Sequence, residues 1–436
     1  MRYIMAIRAL AFSAVVGLGA PCAAAQPTAT RATYVSPGAM SAVCPSHIAA
    51  TRNLDLSTAQ VEGIAAISPR DVWAVGGIDA KSAAPGRTGS SFGLVEHYNG
   101  KNWCLIDTRG WPYSYWGVTA TSAGDVWVFG GPTFEHWNGH IWTGVRSPSI
   151  PGKSYGPTLV SASSPNNVWV VYVDYQFGTE RGNLVERWDG RTWELTLAPA
   201  FQPTAYGPSA YPTALATLSA TDTWLVGVAN VPGPQPWAAH WDGRRWQDTV
   251  LPRSAAPVGY SPGLQAACAE PAYKMGQMSV AAINSNDVWA IGNQIDAVSD
   301  TCPLAFHWDG VRWQQVWLAA TPDDITLLNN TYDTLAPYHN TRAYDWALGA
   351  AAAASSNDVW AMANPEDIAL HWDGHAWHAV SAFAGPRASQ PFDVTSMSVA
   401  GSNDIWAIGN VFRPANWNAY HWDGKHWRGV SILPVG

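Results

Sequence analysis

Twelve histidines and a scatter of carboxylates are the residues with which this 436-residue chain could do chemistry. Six of them, His97, His136, His240, His307, His371 and His421, stand directly before an aromatic-Asp/Asn-Gly phrase, and Arg187 holds that place once. A gathered set of imidazoles would suit copper or zinc. Equivalent positions in a repeat are instead spread around the molecule, so each is read as hydrogen-bonded within its own unit. Glycoside cleavage would need two carboxylates facing across a cleft, and Asp323, Asp324, Asp333, Asp345, Asp174 and Glu180 are available for it. Asp323, Asp324 and Asp333 could instead hold calcium, although loop acids are ordinarily just solvated; no other cofactor is implied.

The aromatic residues offer a different chemistry. Trp111, Tyr113, Tyr115, Trp116, Tyr175, Trp237, Tyr338, His339, Tyr344, Trp346 and Trp417 fall outside the regular phrases, in segments poor in charge. Rings of this kind stack on the apolar faces of pyranoses while neighbouring polar groups bond the hydroxyls. Packing of the loops onto the body of the protein is the competing explanation for the same residues.

What separates the two classes is a repeat. A first half-phrase reads DVWAVG at 71–76 and returns as DVWVFG, NVWVV, DTWLVG, DVWAIG, DVWAMA and DIWAIG. A second reads HYNGKNW, HWNGHIW, RWDGRTW, HWDGRRW, HWDGVRW, HWDGHAW and HWDGKHW. The copies lie about 55 residues apart on average, near the period of all-β repeat proteins. Residues that recur in every copy are read as architecture, and 20 of the 26 tryptophans do so.

Each half-phrase is a pair of strands. Val-Trp-Ala-Val is β-branched and aromatic and ends on a breaker, and an apolar run precedes it across a turn of Ser, Asn and Asp. Asp-Gly between two such runs signals a hairpin. With Asp189 and Gly190 as a two-residue loop, Trp188 would face Arg191 and Glu186 would face Trp193, leaving the indoles as diagonal neighbours that fill the space between units. Four antiparallel strands repeated seven times predict an all-β, seven-bladed β-propeller. The turns within each hairpin are uniformly short while the other connections vary widely, so function belongs on the variable face.

Residues 1–25 read as a secretory signal, with Arg2 and Arg8 around a short apolar run and Ala23-Ala24-Ala25 before Gln26. The expected order is this signal, a tail over 26–60 and the propeller over 61–436, the product being secreted or periplasmic. Cys44, Cys104, Cys268 and Cys302 remain, an even number suited to an oxidising compartment. Of three connectivities, Cys44 with Cys104 and Cys268 with Cys302 is favoured, because each pair brackets one repeat. A net charge of −8 without a basic patch argues against nucleic acid, and no later apolar run is long enough to cross a bilayer.

Gly76-Gly77, Tyr98 and Trp103 resemble a kelch repeat, as in the central domain of galactose-oxidase-like enzymes; DVWAVG followed by aromatic-Asp-Gly-x-x-Trp is closer to bacterial seven-bladed propeller lectins, which bind sugars between blades. The Gly-x-x-Trp spacing is also similar to the Asp-box of sialidase-like propellers, whose activity would want an arginine cluster; Arg413 stands alone. The leading expectation is an exported, non-catalytic lectin-like protein that binds a glycan or cell-surface ligand. A carbohydrate-active enzyme is the first alternative, and a structural propeller that docks a protein partner the second.

Overall fold

The computed structural model of the chain describes residues 12–13 and, between 54 and 432, the blades with part of their connections. Outside the description lie 82–90, 109–112, 147–156, 173–182, 197–202, 296–300, 319–346, 382–391, 412–418 and some shorter pieces. Every repeat is a four-stranded antiparallel sheet in the order a-b-c-d. Blade 1 runs Leu54–Ser68, Asp71–Ala80, Ser91–Tyr98 and Trp103–Leu105. Blade 7 runs Phe392–Gly401, Asp404–Val411, Ala419–Trp422 and Trp427–Val430. The inner strands meet in ring order, that of blade 7 against that of blade 1, which makes the seven-bladed β-propeller. Strand a of blade 1 begins inside the stretch expected to be tail.

The c–d hairpin departs from the expected two-residue loop. Trp188 pairs directly with Trp193, and the loop is the four residues between them. The same direct pairing holds from Tyr98 with Trp103 to Trp422 with Trp427. The aspartate side chain is the reason: Asp189 Oδ1 accepts from the backbone N–H groups of Arg191 and Thr192, both at 2.8 Å, closing an Asx turn. Gly190 follows in the left-handed region at φ +95°. A Cβ there would also strike Asn166 in the a–b turn, so this glycine is required by space as well as by backbone.

Directly opposed, the two aromatics of each hairpin clasp the strand-b tryptophan of the preceding blade. Trp73 lies against Trp137 and Trp142 with centroids 6.3 and 5.9 Å away, and Trp289 against Trp372 and Trp377 at 4.9 and 5.3 Å. The second ring stands edge-on to the clasped indole, at 79° and 88° in these two cases. Blade 7 meets blade 1 in the same way, Trp406 being clasped by Tyr98 and Trp103 at 5.4 and 5.3 Å. Ile408, Ala419 and Ile432 of the last blade share one buried cluster with Val61, Ile64, Val72 and Ala74 of the first. Serine and threonine hydroxyls add inner-strand links between blades, among them Ala66 N–H to Ser398 Oγ at 2.8 Å across the closing seam. Closure thus rests on packing and hydrogen bonds between complete blades.

The six histidines have the structural place expected of them. In blade 2, Asp125 Oδ1 lies 2.7 Å from His136 Nε2 and accepts the Trp127 indole N–H at 3.0 Å. The imidazole stacks on that indole at 4.1 Å. Blade 3 changes both partners together: Arg187 Nε donates to Asn167 Oδ1 at 2.9 Å and its guanidinium lies 5.7 Å from the Trp169 ring centroid.

Cys268 and Cys302 form the expected disulfide, which ties the helix Pro262–Ala269 to strand c of blade 5. Cys104 is also disulfide-bonded, its partner lying outside the described residues, as Cys44 does. Phe12–Ser13, within the expected leader, pairs in parallel with Ala214 and Leu215 on the inner strand of blade 4, whose own four strands are complete without it. Among the described residues no helix is long and apolar enough to cross a membrane.

Candidate functional site

On the variable face, 113–116 forms a strap laid across blades 1 and 2. Its backbone is held from both sides: Tyr115 N–H donates to Gly76 O at 2.9 Å, and Trp116 N–H to Phe129 O at 2.8 Å. Strands b and c of blade 1 and strand b of blade 2 admit the strap because they present glycine to it. A Cβ on Gly77 would collide with Ser114, one on Gly93 with the Tyr115 ring, and one on Gly130 with the Ser114 carbonyl. The glycine pairs at 76–77 and 130–131, found only in the first two blades, therefore have a physical purpose at Gly77 and Gly130.

Within this strap the expected ligand-binding residues divide. Tyr115 is the anchor: it is buried beside Val75, Val95 and Val118, with its hydroxyl 3.5 Å from Thr108 Oγ1. Tyr113 and Trp116 keep 48% and 39% of their surface in solvent. Trp116 is thus displayed on backbone held from below, with the exposed Tyr113 ring three residues before it, and a held backbone loses little conformational freedom when a ligand stacks on it.

Trp237 is buried as well. It lies on strand c of blade 4, Gln235–Trp241, fully enclosed with Trp169, Leu159, Val171 and Val185 of blade 3, so its ring fills a seam and offers no surface. Pro236 precedes it inside the strand, which is why the pair reads as loop in the sequence. Trp111, Tyr175, Tyr338, His339, Tyr344, Trp346 and Trp417 lie outside the described residues, as do Asp174, Glu180, Asp323, Asp324, Asp333, Asp345 and Arg413. Among the described residues no three His, Cys, Asp or Glu side chains gather as metal ligands would.

Two features escape sequence reasoning. Strand b of blade 1 carries Asp79 one residue before its end at the variable face, paired across the sheet with Ser91. The Ser91 hydroxyl donates to Asp79 Oδ1 at 2.6 Å, and the Asp79 backbone N–H is held by Thr58 Oγ1 at 2.9 Å. The second feature is a buried glutamate directly before the histidine or arginine of blades 1 to 3: Glu96, Glu135 and Glu186. The other blades carry Ala239, Phe306, Leu370 and Tyr420 at that position. Glu186 accepts from Tyr172 Oη at 2.9 Å. Glu96, enclosed without a hydrogen-bond partner among the described residues, has its carboxyl pushed well above the usual range by burial. The signal for these glutamates was present as an acid in an otherwise apolar slot.

No protein-family model matches the chain, and no curated protein matches it in sequence. Among solved structures it is similar to YCF48 bound to a D1 peptide, at TM-score 0.46 and 12% identity over 81% of this chain and 91% of that one. It is similar to virginiamycin B lyase from Staphylococcus aureus, at TM-score 0.44 and 12% identity over 80% and 92% of the two chains. A third likeness is to the SapL1 lectin in complex with alpha methyl fucoside, at TM-score 0.40 and 12% identity over 73% and 96%.

Proposed function

We propose that the chain is an exported, non-catalytic propeller that binds carbohydrate through the aromatic strap on the variable face of blades 1 and 2. The observation that carries this reading is the alternation within the strap: Tyr115 is sunk as an anchor while Tyr113 and Trp116 stay exposed around it. Exposed aromatics beside a buried anchor suit stacking against a pyranose face. Trp111, two residues upstream of Tyr113, extends the aromatic run.

The test is a glycan-array screen of the purified chain beside Tyr113→Ala, Trp116→Ala and Trp111→Ala. Binding is expected for the unmodified chain, with about a tenfold loss on removing either exposed ring, consistent with stacking of roughly 1 kcal/mol or more. Melting temperatures should stay close to that of the parent for Tyr113→Ala and Trp116→Ala. An array that stays blank for the unmodified chain overturns the reading and favours a protein ligand.

A further inference from the structure

We infer that Asp79 and Ser91 are the hydroxyl-reading pair of this site and that its ligand is a neutral saccharide presenting adjacent hydroxyls, an assignment that rests on the carbohydrate reading above. The register of blade 1 supplies the placement. Strands b and c pair without a shift from Val72 with Tyr98 to Asp79 with Ser91, so side chains alternate strictly between the two faces of the blade. Trp73, Val75 and Val95 lie on the face that meets blade 2. Gly77 and Gly93 continue that face and receive Ser114 and Tyr115 of the strap. Asp79 and Ser91 come next on the same face, about 7 Å further along the strands toward the variable rim.

The strap runs the matching way. Tyr115 bonds the backbone at Gly76 and Ser114 covers Gly77, so the chain direction carries Tyr113 toward the end where Asp79 and Ser91 lie. An exposed phenol ring and a carboxylate–hydroxyl pair then share one edge of the blade. Both polar groups are pre-set. Thr58 Oγ1 fixes the Asp79 backbone and donates in turn to Asp55 O at 2.8 Å, while Ser91 Oγ is oriented by the carboxylate 2.6 Å away. Ser91 is exposed and Asp79 partly so, and among the described residues Ser91 meets only one of the two carboxylate oxygens.

The chemistry of the pair selects the ligand class. A carboxylate accepts hydroxyl protons through short, charge-assisted bonds, and two neighbouring hydroxyls of a sugar ring match its two oxygens. The same charge repels carboxylated or sulfated sugars, Asp55 stands opposite Asp79 in the sheet, and the whole chain carries −8. Lys81 is exposed just past the end of strand b.

The experiment is an array carrying neutral, sialylated and sulfated glycans, probed with the purified chain and with Asp79→Asn and Ser91→Ala, followed by titration calorimetry on the strongest ligand. Binding confined to neutral glycans is expected, weakened tenfold or more by Asp79→Asn and several-fold by Ser91→Ala, with melting temperatures held as the check on folding. Preference for acidic glycans overturns the ligand class while leaving the carbohydrate reading standing. Neutral-glycan binding that is lost in Trp116→Ala but unchanged in both Asp79→Asn and Ser91→Ala overturns the assignment of the pair. A blank array for the unmodified chain removes both.

Discussion

At the scale of single residues, the hairpin aspartate does two tasks that the sequence presents as one. Its carboxylate ties two backbone N–H groups and, in doing so, becomes a stronger acid. The N–H groups of Ala376 and His375 hold Asp373 at about 2, and those of Arg245 and Arg244 hold Asp242 at about 2. A carboxylate whose folded value is depressed contributes stability above its unfolded value, lost as pH falls from about 4 through the folded value. Blades 1 and 2 reach the same geometry with Asn99 and Asn138, whose Oδ1 atoms accept the equivalent pairs of N–H groups at 3.0 Å. Asp373→Asn is therefore expected to leave the melting temperature at pH 7 nearly unchanged and to flatten its decline between pH 4 and 2, which thermal melts across that range would show. An equally steep decline in the variant would mean that other groups govern the acid limb.

At the scale of the element, the blade is held by a small polar relay that tolerates one rewriting. Asp with His occurs in six blades and Asn with Arg in the third, and both versions place a planar cation or imidazole on the strand-b indole. Asn167→Asp and Arg187→His should each destabilise the protein, and the double variant should recover most of the loss. A coupling of about 0.5–3 kcal/mol in a urea double-mutant cycle is the expected result, whereas additive losses would mean that the two positions act independently. The blade was legible in advance because its phrases repeat with fixed internal spacing. The hairpin loop was misread because Asp-Gly opens both two- and four-residue turns. The decisive clue was the spacing of the tryptophans: residues five apart can face each other directly only across four intervening residues. Burial within the strap had no such clue. Tyr113 and Tyr115 are alike in the sequence, and only the glycines of three distant strands, Gly77, Gly93 and Gly130, reveal which ring is received.

At the scale of the whole molecule, the ring is closed by a seam of ordinary construction that contains one unusual group. Glu96 alternates with Val95 and His97, so it lies on the side of the sheet that carries Tyr98 and its cross-strand partner Ala74, the side that meets blade 7. Among the described residues, Tyr98 and the Asp404–His421 pair stand at its hairpin end, the Tyr98 hydroxyl raised by burial and by Asp404 and the pair 3.3 Å apart. A carboxyl raised by burial costs the fold least while it stays protonated. Its contribution is complete below about pH 4, the unfolded value, and is lost as pH rises toward the folded one. Glu96→Leu is expected to raise stability at neutral pH by about 1–3 kcal/mol and to remove that slope, read from urea midpoints between pH 4 and 9. A slope that survives the substitution would place its origin elsewhere.

The clasp of Trp406 by Tyr98 and Trp103 bears on how such a chain can be rearranged over time. It is built like the other six clasps, so the ring does not record where the polypeptide begins. A gene opened between any two blades, with blade 7 joined ahead of blade 1, would encode the same seven blade-to-blade interfaces, because the four strands of each blade are contiguous in the sequence. The order of synthesis is free to drift while the folded object stays the same.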